Sequence, residues 1–250
     1  MKKRKKKKRN SGVVLLSIAV ALFVSVNGTL AWLVAQTDPV INTFTYGDIN
    51  LILDETQTDE KGNPVDESGN LIPDGGTPVR APEGNQYDML PGEKYLKDPA
   101  VTVKPGNEAC WLFVKLTETG GYTDAAGTVY TFDDYLSYDI AAGWTQLTDA
   151  TGNTVDGVYY RYVEKDAAGT YDVLKDNKIK VRDEVTKAML NGLDDNGQDK
   201  TSDKYPSLAI IGYAIQYSGF EAGDLNDDAK VGAAAGTAWT AIQEQTKSND

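Results

Sequence analysis

Turn-forming residues interrupt this 250-residue chain so often that helices long enough for a bundle have little room to form. Glycine alone occurs 24 times, and Asp, Thr and Tyr are also plentiful. The runs between turns resemble strands. The clearest are residues 110–117 (CWLFVKLT) and 206–217 (PSLAIIGYAIQY), which have apolar residues at both odd and even positions and hence on both faces of a strand. This pattern predicts an all-β domain with many short strands. The length suits one large domain or two small ones.

Charge and composition exclude several classes of function. Eight basic residues lie within residues 2–9, and no acidic residue precedes Asp38. Without those eight, 17 Lys and Arg stand against 37 Asp and Glu, a net charge of −20. Such a surface repels nucleic acid and anionic lipid, so we expect neither as a partner. The chain has no histidine, which removes Ser-His-Asp and Cys-His catalysis and imidazole zinc sites. We therefore expect no catalytic residues and no enzymatic activity.

Cys110 is the single cysteine of the chain. No intramolecular disulfide can form, so an extracellular domain of this kind must depend on its packed core. Within an apolar strand, Cys110 is interpreted as a small buried hydrophobe. The alternative, a reactive thiol, lacks a basic neighbour or histidine that would activate it.

The N-terminal segment has the pattern of an export signal. A basic run precedes residues 13–26, which are apolar except for Ser17 and Ser25. This stretch fits the apolar region of a signal peptide and is short for a membrane span. We predict a signal peptide over residues 1–31, with cleavage between Ala31 and Trp32. In the alternative, residues 12–35 stay as a membrane anchor, and the uncleaved signal is then the only contact with the membrane.

Several short motifs resemble the TasA/camelysin family, secreted proteins of Gram-positive bacteria. The start region combines GTLAW at 28–32 with NTFTYGDINLIL at 42–53. The resemblance continues in LPGE at 90–93, KDP at 97–99 and VTV at 101–103. It returns in YAIQ at 213–216, Gly219-Phe220 and a small-residue helix containing Trp239.

This resemblance implies a jelly-roll-like antiparallel β-sandwich and a secreted location, in the extracellular matrix or at the cell surface. Members of the family assemble into biofilm fibres, in which the mature N-terminal segment of one subunit adds as a strand to the next. The implied partners are therefore other copies of this chain, a dedicated type I signal peptidase and a fibre-nucleating accessory protein. Some members have been called metalloproteases, but this chain lacks the H-E-x-x-H motif.

We expect a single domain over residues 32–250 that begins with a donor segment at 32–41. Its apolar residues are Trp32, Leu33 and Val34, which could fill pockets while the backbone pairs with a sheet edge of another copy. The alternatives are the tail of the signal helix and a disordered leader.

Residues 54–86 are rich in Asp, Glu, Gly, Asn and Pro and are too long for an ordinary loop. Two turn signals, GNPVD at 62–66 and GNLIPD at 69–74, predict a projecting hairpin within a surface excursion. Short helices are predicted at 133–136, 184–193 and 233–242.

Two acidic loops are candidates for calcium. Asp224, Asn226 and Asp228 occupy positions 1, 3 and 5 of an EF-hand-like loop, but Ala229 and Ala235 stand where glycine and a bidentate acid belong. The other candidates are Asp194, Asn196 and Asp199. A loop without its bidentate carboxylate should bind poorly, so we predict no cofactor and interpret both loops as solvated turns.

Three functions follow from these patterns. The first is a secreted protein that polymerises into fibres through its N-terminal strand. The second is a membrane-anchored adhesin or binding module that uses residues 54–86 or the tyrosine-rich strand at 157–164. The third is a hydrolase that works without histidine.

Overall fold

The computed structural model describes residues 34–36, 49–73, 76–149, 151–193 and 203–247. These residues form mostly antiparallel strands with few helices, which confirms the all-β class. The strands are β1 (Val34–Gln36), β2 (Leu51–Thr56), β3 (Arg80–Ala81), β4 (Lys94–Leu96), β5 (Ala100–Val103), β6 (Cys110–Thr119), β7 (Gly121–Thr123), β8 (Val129–Thr131), β9 (Leu136–Ser137), β10 (Thr145–Thr148), β11 (Thr154–Val163), β12 (Gly169–Asp172), β13 (Lys178–Val181) and β14 (Ser207–Gln216). The helices are α1 (Phe132–Tyr135), α2 (Lys187–Leu193) and α3 (Asp228–Lys247), and Lys175–Asn177 form one 3-10 turn.

The largest sheet has the order β1-β14-β6-β11-β10. Strand β6 lies at its centre, and its residues from Cys110 to Val114 are all buried. The sequence prediction of a central strand with both faces covered is therefore confirmed. Cys110 is fully buried, and burial raises the pKa of its thiol to about 12, so the interpretation as a buried hydrophobe is also confirmed.

A second sheet has the order β12-β5-β2-β3 and shares a core with the largest sheet. Leu51, Leu53 and Val101 of the second sheet belong to the same buried cluster as Leu112 and Ala214 of the first. Strand β2 packs near β14, and β12 packs near β11. The core therefore lies between these two sheets.

Helix α3 covers the other face of the largest sheet. Trp239 packs on Phe113 and Tyr213, with ring centroids 5.3 and 5.2 Å apart. The helix begins at Asp228, ahead of the predicted start at residue 233, because the Asp227 side chain accepts the backbone N–H groups of Ala229 and Lys230 as an N-terminal cap. It is also longer than the short helix predicted.

A third sheet, β4-β13-β9, packs with α1 and α2 around a separate cluster that includes Tyr95, Tyr135 and Leu193. Helix α1 (Phe132–Tyr135) overlaps the predicted helical turn at 133–136 but lies one residue earlier, because Leu136 begins β9. Helix α2 begins at Lys187, later than the predicted residue 184. Strands β7 and β8 form a hairpin.

Two consecutive tight turns shape the start of the acidic stretch at 54–86. Asp59 and Asp66 each accept two backbone N–H groups, from the residues two and four positions later. Isolated bridges join Thr58 to Pro64 and Val65 to Leu71. Strand β3 then returns the chain to β2.

Within the described residues, no helix combines the length and apolar character needed to cross a membrane.

Candidate functional site

Within the described residues, one edge of strand β14 is paired over only part of its length. On one side β14 pairs with β6 along its whole length, from Ser207 opposite Thr119 to Gln216 opposite Cys110. On the other side β1 pairs with three residues only, placing Val34 opposite Ile215 and Gln36 opposite Tyr213. No strand in the described part of the chain pairs with residues 207–211 on that side. A strand edge that has no backbone partner can accept another extended segment.

Alternation along β14 explains how this edge is built. Ile210 and Ala214 point into the core between the two sheets, together with the partly buried Leu208. Tyr213 points to the opposite face, against Trp239 of α3. Both faces of β14 are apolar, so its side chains pack on both sides of the sheet. Among the described residues, no strand pairs with its N-terminal half on the β1 side.

A cavity of about 870 Å³ lies beside the N-terminal half of β14. Leu208 and Ile210 form one wall, and Leu53 of β2 forms another. Tyr87 and Met89 of the loop before β4 complete the lining, together with apolar residues of the third sheet and α2. The cavity is large enough for several side chains of an added strand or for a small ligand.

The polar end of the cavity is built around Glu55. This residue follows Leu51 and Leu53 on the same face of β2, so it points inward and is 6% exposed. The ammonium of Lys97 lies 2.9 Å from Glu55 Oε2, and the two side chains are 11% and 8% exposed. Glu55 Oε1 accepts the side-chain amide of Asn85 at 2.9 Å and its backbone N–H at 3.1 Å. The carboxylate is therefore fully partnered, as a buried charge must be.

A second ion cluster lies close to this end. Arg80 bridges Asp54 and Asp98, with both nitrogen–oxygen distances 2.7 Å. Asp98 is 8% exposed and also accepts the backbone N–H and hydroxyl of Thr56. These contacts tie β3 to β2 and to the segment that precedes β5, so the wall near Glu55 is firmly held.

Two tyrosines position the loop that carries Asn85. The Tyr87 hydroxyl donates to the Leu96 carbonyl oxygen at 2.6 Å, and burial raises the pKa of Tyr87. The Tyr95 hydroxyl donates to the carbonyl oxygen of Asp88. The loop is thus anchored to β4 at both of these points.

The predicted cleavage site, Ala31 and Trp32, lies outside the described residues, as does Leu33 of the donor segment. Val34 lies in β1, and its backbone pairs with β14 of the same chain. The segment that we expected to pair with another copy therefore occupies, in part, the edge of its own sheet.

The calcium candidates divide between described and undescribed residues. Asp194, Asn196 and Asp199 lie outside the described residues. The Asp224 carboxylate accepts the backbone N–H of Asn226 at 3.0 Å, and Asp228 is the first residue of α3. Across the described ranges, no group of three or more Cys, Asp or Glu side chains is placed to hold a metal ion.

The cluster of Glu55, Lys97 and Asn85 was not predicted from the sequence. One signal could have indicated part of it, because the period-two pattern of Ile49, Leu51 and Leu53 continues to position 55 and places a carboxylate on the buried face. Nothing local in the sequence links Asn85 or Lys97 to that carboxylate.

Comparisons with family models, with curated proteins and with solved structures found no match.

Proposed function

We propose that this protein is a secreted structural protein that assembles into extracellular fibres by N-terminal strand donation. The motifs that resemble the TasA/camelysin family support this function, and the two sheets with a shared core support a jelly-roll-like β-sandwich. The protein then acts by joining copies of itself and not by catalytic turnover.

The pairing of β1 with β14 is the observation that carries the proposal. In this pairing, three residues at the start of the predicted domain run antiparallel to the β14 edge of the same chain, which supports the same fit for a donated segment. Carried over the whole donor segment, that register sets residues 32–41 opposite residues 208–217. The donor segment and the acceptor strand therefore match in length.

Donation of the whole segment from a neighbouring copy would extend the pairing of Val34–Gln36 in both directions along β14. In the same register, Trp32 lies opposite Tyr217, whose ring packs 5.5 Å from Trp111 and 4.9 Å from Tyr162. At the other end, the donor runs beside the cavity next to Leu208 and Ile210. Pro39 lacks an N–H, which a strand at the edge of a sheet tolerates.

Export prepares the donor. Cleavage between Ala31 and Trp32 by a type I signal peptidase releases the segment from the signal peptide and makes Trp32 the first residue. An accessory protein that offers the first free edge would then nucleate the fibre.

Disulfide trapping tests donation between copies. Ala35 and Ala214 are opposite each other, and opposed residues in a sheet are close enough for a disulfide. We expect Ala35→Cys protein mixed with Ala214→Cys protein to form a cross-linked dimer under mild oxidation. A mixture of Ala35→Cys and Thr145→Cys is the matched control, because Thr145 lies on β10 at the opposite edge of the sheet.

The double variant Ala35→Cys/Ala214→Cys should close the disulfide within one chain and block fibres in electron micrographs until it is reduced. Fibres that persist after deletion of residues 32–39 would reject strand donation.

Mass spectrometry of the exported protein tests the processing step, because an intact segment 1–35 would contradict cleavage and favour the membrane-anchored adhesin.

A further inference from the structure

The cluster at the polar end of the cavity combines three groups that can react with one another. Lys97 supplies a primary amine, Asn85 a carboxamide, and Glu55 a carboxylate in contact with both. One oxygen of Glu55 lies 2.9 Å from Lys97 Nζ, and the other lies 2.9 Å from Asn85 Nδ2. A single acid–base group therefore bridges a nucleophile and a leaving group.

We propose that Lys97 and Asn85 form an intramolecular amide cross-link, with Glu55 as the acid–base catalyst. The bond that forms joins Lys97 Nζ to Asn85 Cγ, and the bond that breaks joins Cγ to Nδ2. The reaction is an exchange of one amide for another and releases ammonium. No electrons are transferred, so it needs no oxidant, cofactor or metal.

Proton movements in this reaction follow the hydrogen bonds. Glu55 takes a proton from the Lys97 ammonium across the 2.9 Å contact, which leaves a neutral amine that can attack Cγ. Glu55 then passes that proton to Nδ2 across the second contact. Nδ2 takes a second proton from the Lys97 nitrogen and departs as an ammonium ion. The Lys97 nitrogen keeps one hydrogen, which is the N–H of the new amide.

The surroundings of Asn85 suit this reaction. Its Oδ1 accepts the backbone N–H of Thr58 at 2.8 Å, which polarises the amide carbonyl and stabilises the negative charge that develops on Oδ1 during attack. Its Nδ2 also donates to the Thr56 carbonyl oxygen at 2.8 Å, so the side chain is fixed in orientation. This fixed geometry favours attack by a neighbouring amine.

An exposed ion pair in the same protein lacks these features. Lys165 lies 2.6 Å from Glu108, but the two side chains are 59% and 44% exposed. Among the described residues, no asparagine side chain donates a hydrogen bond to that carboxylate. The Lys97 pair is thus distinguished by its burial and by the amide held on the second carboxylate oxygen.

The cross-link would serve a chain that cannot form an internal disulfide. It would join the end of the 54–86 excursion to the segment between β4 and β5, and a short covalent loop reduces the freedom of the unfolded chain as a disulfide does. This inference does not depend on fibre assembly, because all three groups belong to one subunit.

Peptide mapping of the purified full chain tests the proposal. Without the cross-link, trypsin cuts after Arg80, Lys94 and Lys97 and releases peptides 81–94 and 95–97. With it, Lys97 is blocked, and peptide 81–94 appears joined to peptide 95–115. The mass of the joined peptides should be lower than their sum by one ammonia molecule, and fragmentation should locate the branch at Asn85 and Lys97.

Three variants assign the roles of the residues. Lys97→Arg keeps the positive charge but should abolish the joined peptide, and Glu55→Gln should abolish it by removing the acid–base group. Asn85→Asp should give the same branch with loss of water in place of ammonia. Lys165→Arg is the matched control and should retain the joined peptide. Circular dichroism of each variant establishes that it is folded.

Full recovery of peptide 95–97 from the unmodified chain would overturn the proposal. Ammonia loss without a branch would also overturn it, because that result indicates a cyclic imide at Asn85. A branch between Lys97 and Glu55 would assign the chemistry to different atoms and would equally reject it.

Discussion

Arg161 lies with its guanidinium carbon 4.0 Å from the centre of the Tyr171 ring. The Trp144 ring centre is 5.4 Å from the same carbon, and the Trp144 indole N–H donates to the Asp172 carbonyl oxygen at 2.8 Å. Arg161 is on β11 of the largest sheet, and Tyr171 is on β12 of the second. These contacts join the two sheets on the side away from β14, whereas the cavity lies on the β14 side.

We expect the stack on Tyr171 to stabilise the fold. Burial lowers the pKa of Arg161, and no acidic side chain in the described ranges pairs with it. Replacement by Lys removes the planar stacking surface, so Arg161→Lys should lower the free energy of unfolding by about 1 kcal/mol in urea denaturation. In a double-mutant cycle with Tyr171→Leu, we expect a coupling of about 1 kcal/mol. Additive effects of the two substitutions would contradict a direct interaction.

Gly157 provides a second prediction, concerning backbone geometry. Its φ is +64°, and a Cβ added there would fall on the carbonyl oxygen of Leu116 in the neighbouring strand. Gly157→Ala should therefore lower the free energy of unfolding by more than about 3 kcal/mol. Gly152→Ala is the matched control, since its φ is +85° but nothing lies within 4 Å of the added Cβ. That control should cost only about 1 kcal/mol, the strain of a left-handed residue. Equal losses for the two variants would show that the contact with Leu116 is unimportant.

A third prediction concerns the dependence of stability on pH. The pKa of Asp149 is held below its ordinary value of 3.8 by hydrogen bonds, first from the Thr151 hydroxyl and then from the backbone N–H of Asn153. A carboxylate with a lowered folded pKa stabilises the fold above its unfolded value of about 3.8, and this stabilisation is lost as the pH falls through the folded pKa.

Asp149→Asn keeps an oxygen acceptor but cannot titrate. We expect this variant to have a lower free energy of unfolding than the unmodified protein at pH 7. The difference between the two free energies should disappear as the pH falls below about 3.8. Urea denaturation at a series of pH values measures this effect. Thr151→Val should also lower the free energy of unfolding at pH 7, but by a smaller amount. If the free energies of unfolding of Asp149→Asn and the unmodified protein differ by the same amount at all pH values, the Asp149 charge does not have this role.

The sequence predicted those strands whose burial is evident from residue type alone. Runs such as 110–117 and 206–217 have apolar residues on both faces of the strand. That pattern is sufficient to place β6 and β14 in the interior. The pairing of β1 with β14 could not be predicted in the same way. It joins residues far apart in the chain, and the order of strands in a sheet depends on such distant contacts and not on local pattern.

Turns show the limit of local pattern most directly, because the pentapeptide DAAGT occurs twice with different conformations. At 124–128, the Asp124 side chain accepts the N–H groups of Ala126 and Thr128, and Gly127 has a φ of +87°. At 166–170, the turn comes earlier, and Asp166 itself has a φ of +60°. The reason lies outside the pentapeptide, since the Asp166 N–H donates to the Asn107 carbonyl oxygen and the Ala167 N–H donates to that of Glu164.

This difference between two identical pentapeptides leads to the last prediction. Asp166→Gly removes the strain of a non-glycine residue in the left-handed region. Glycine also adds entropy to the unfolded chain, and this offsets the gain. The free energy of unfolding should therefore change by less than about 0.5 kcal/mol. Asp124→Gly removes two hydrogen bonds with no such gain and should cost about 1 kcal/mol or more. Urea denaturation of both variants makes the comparison. Equal destabilisation would mean that the two aspartates play the same role in their turns, against the backbone angles and hydrogen bonds that distinguish them.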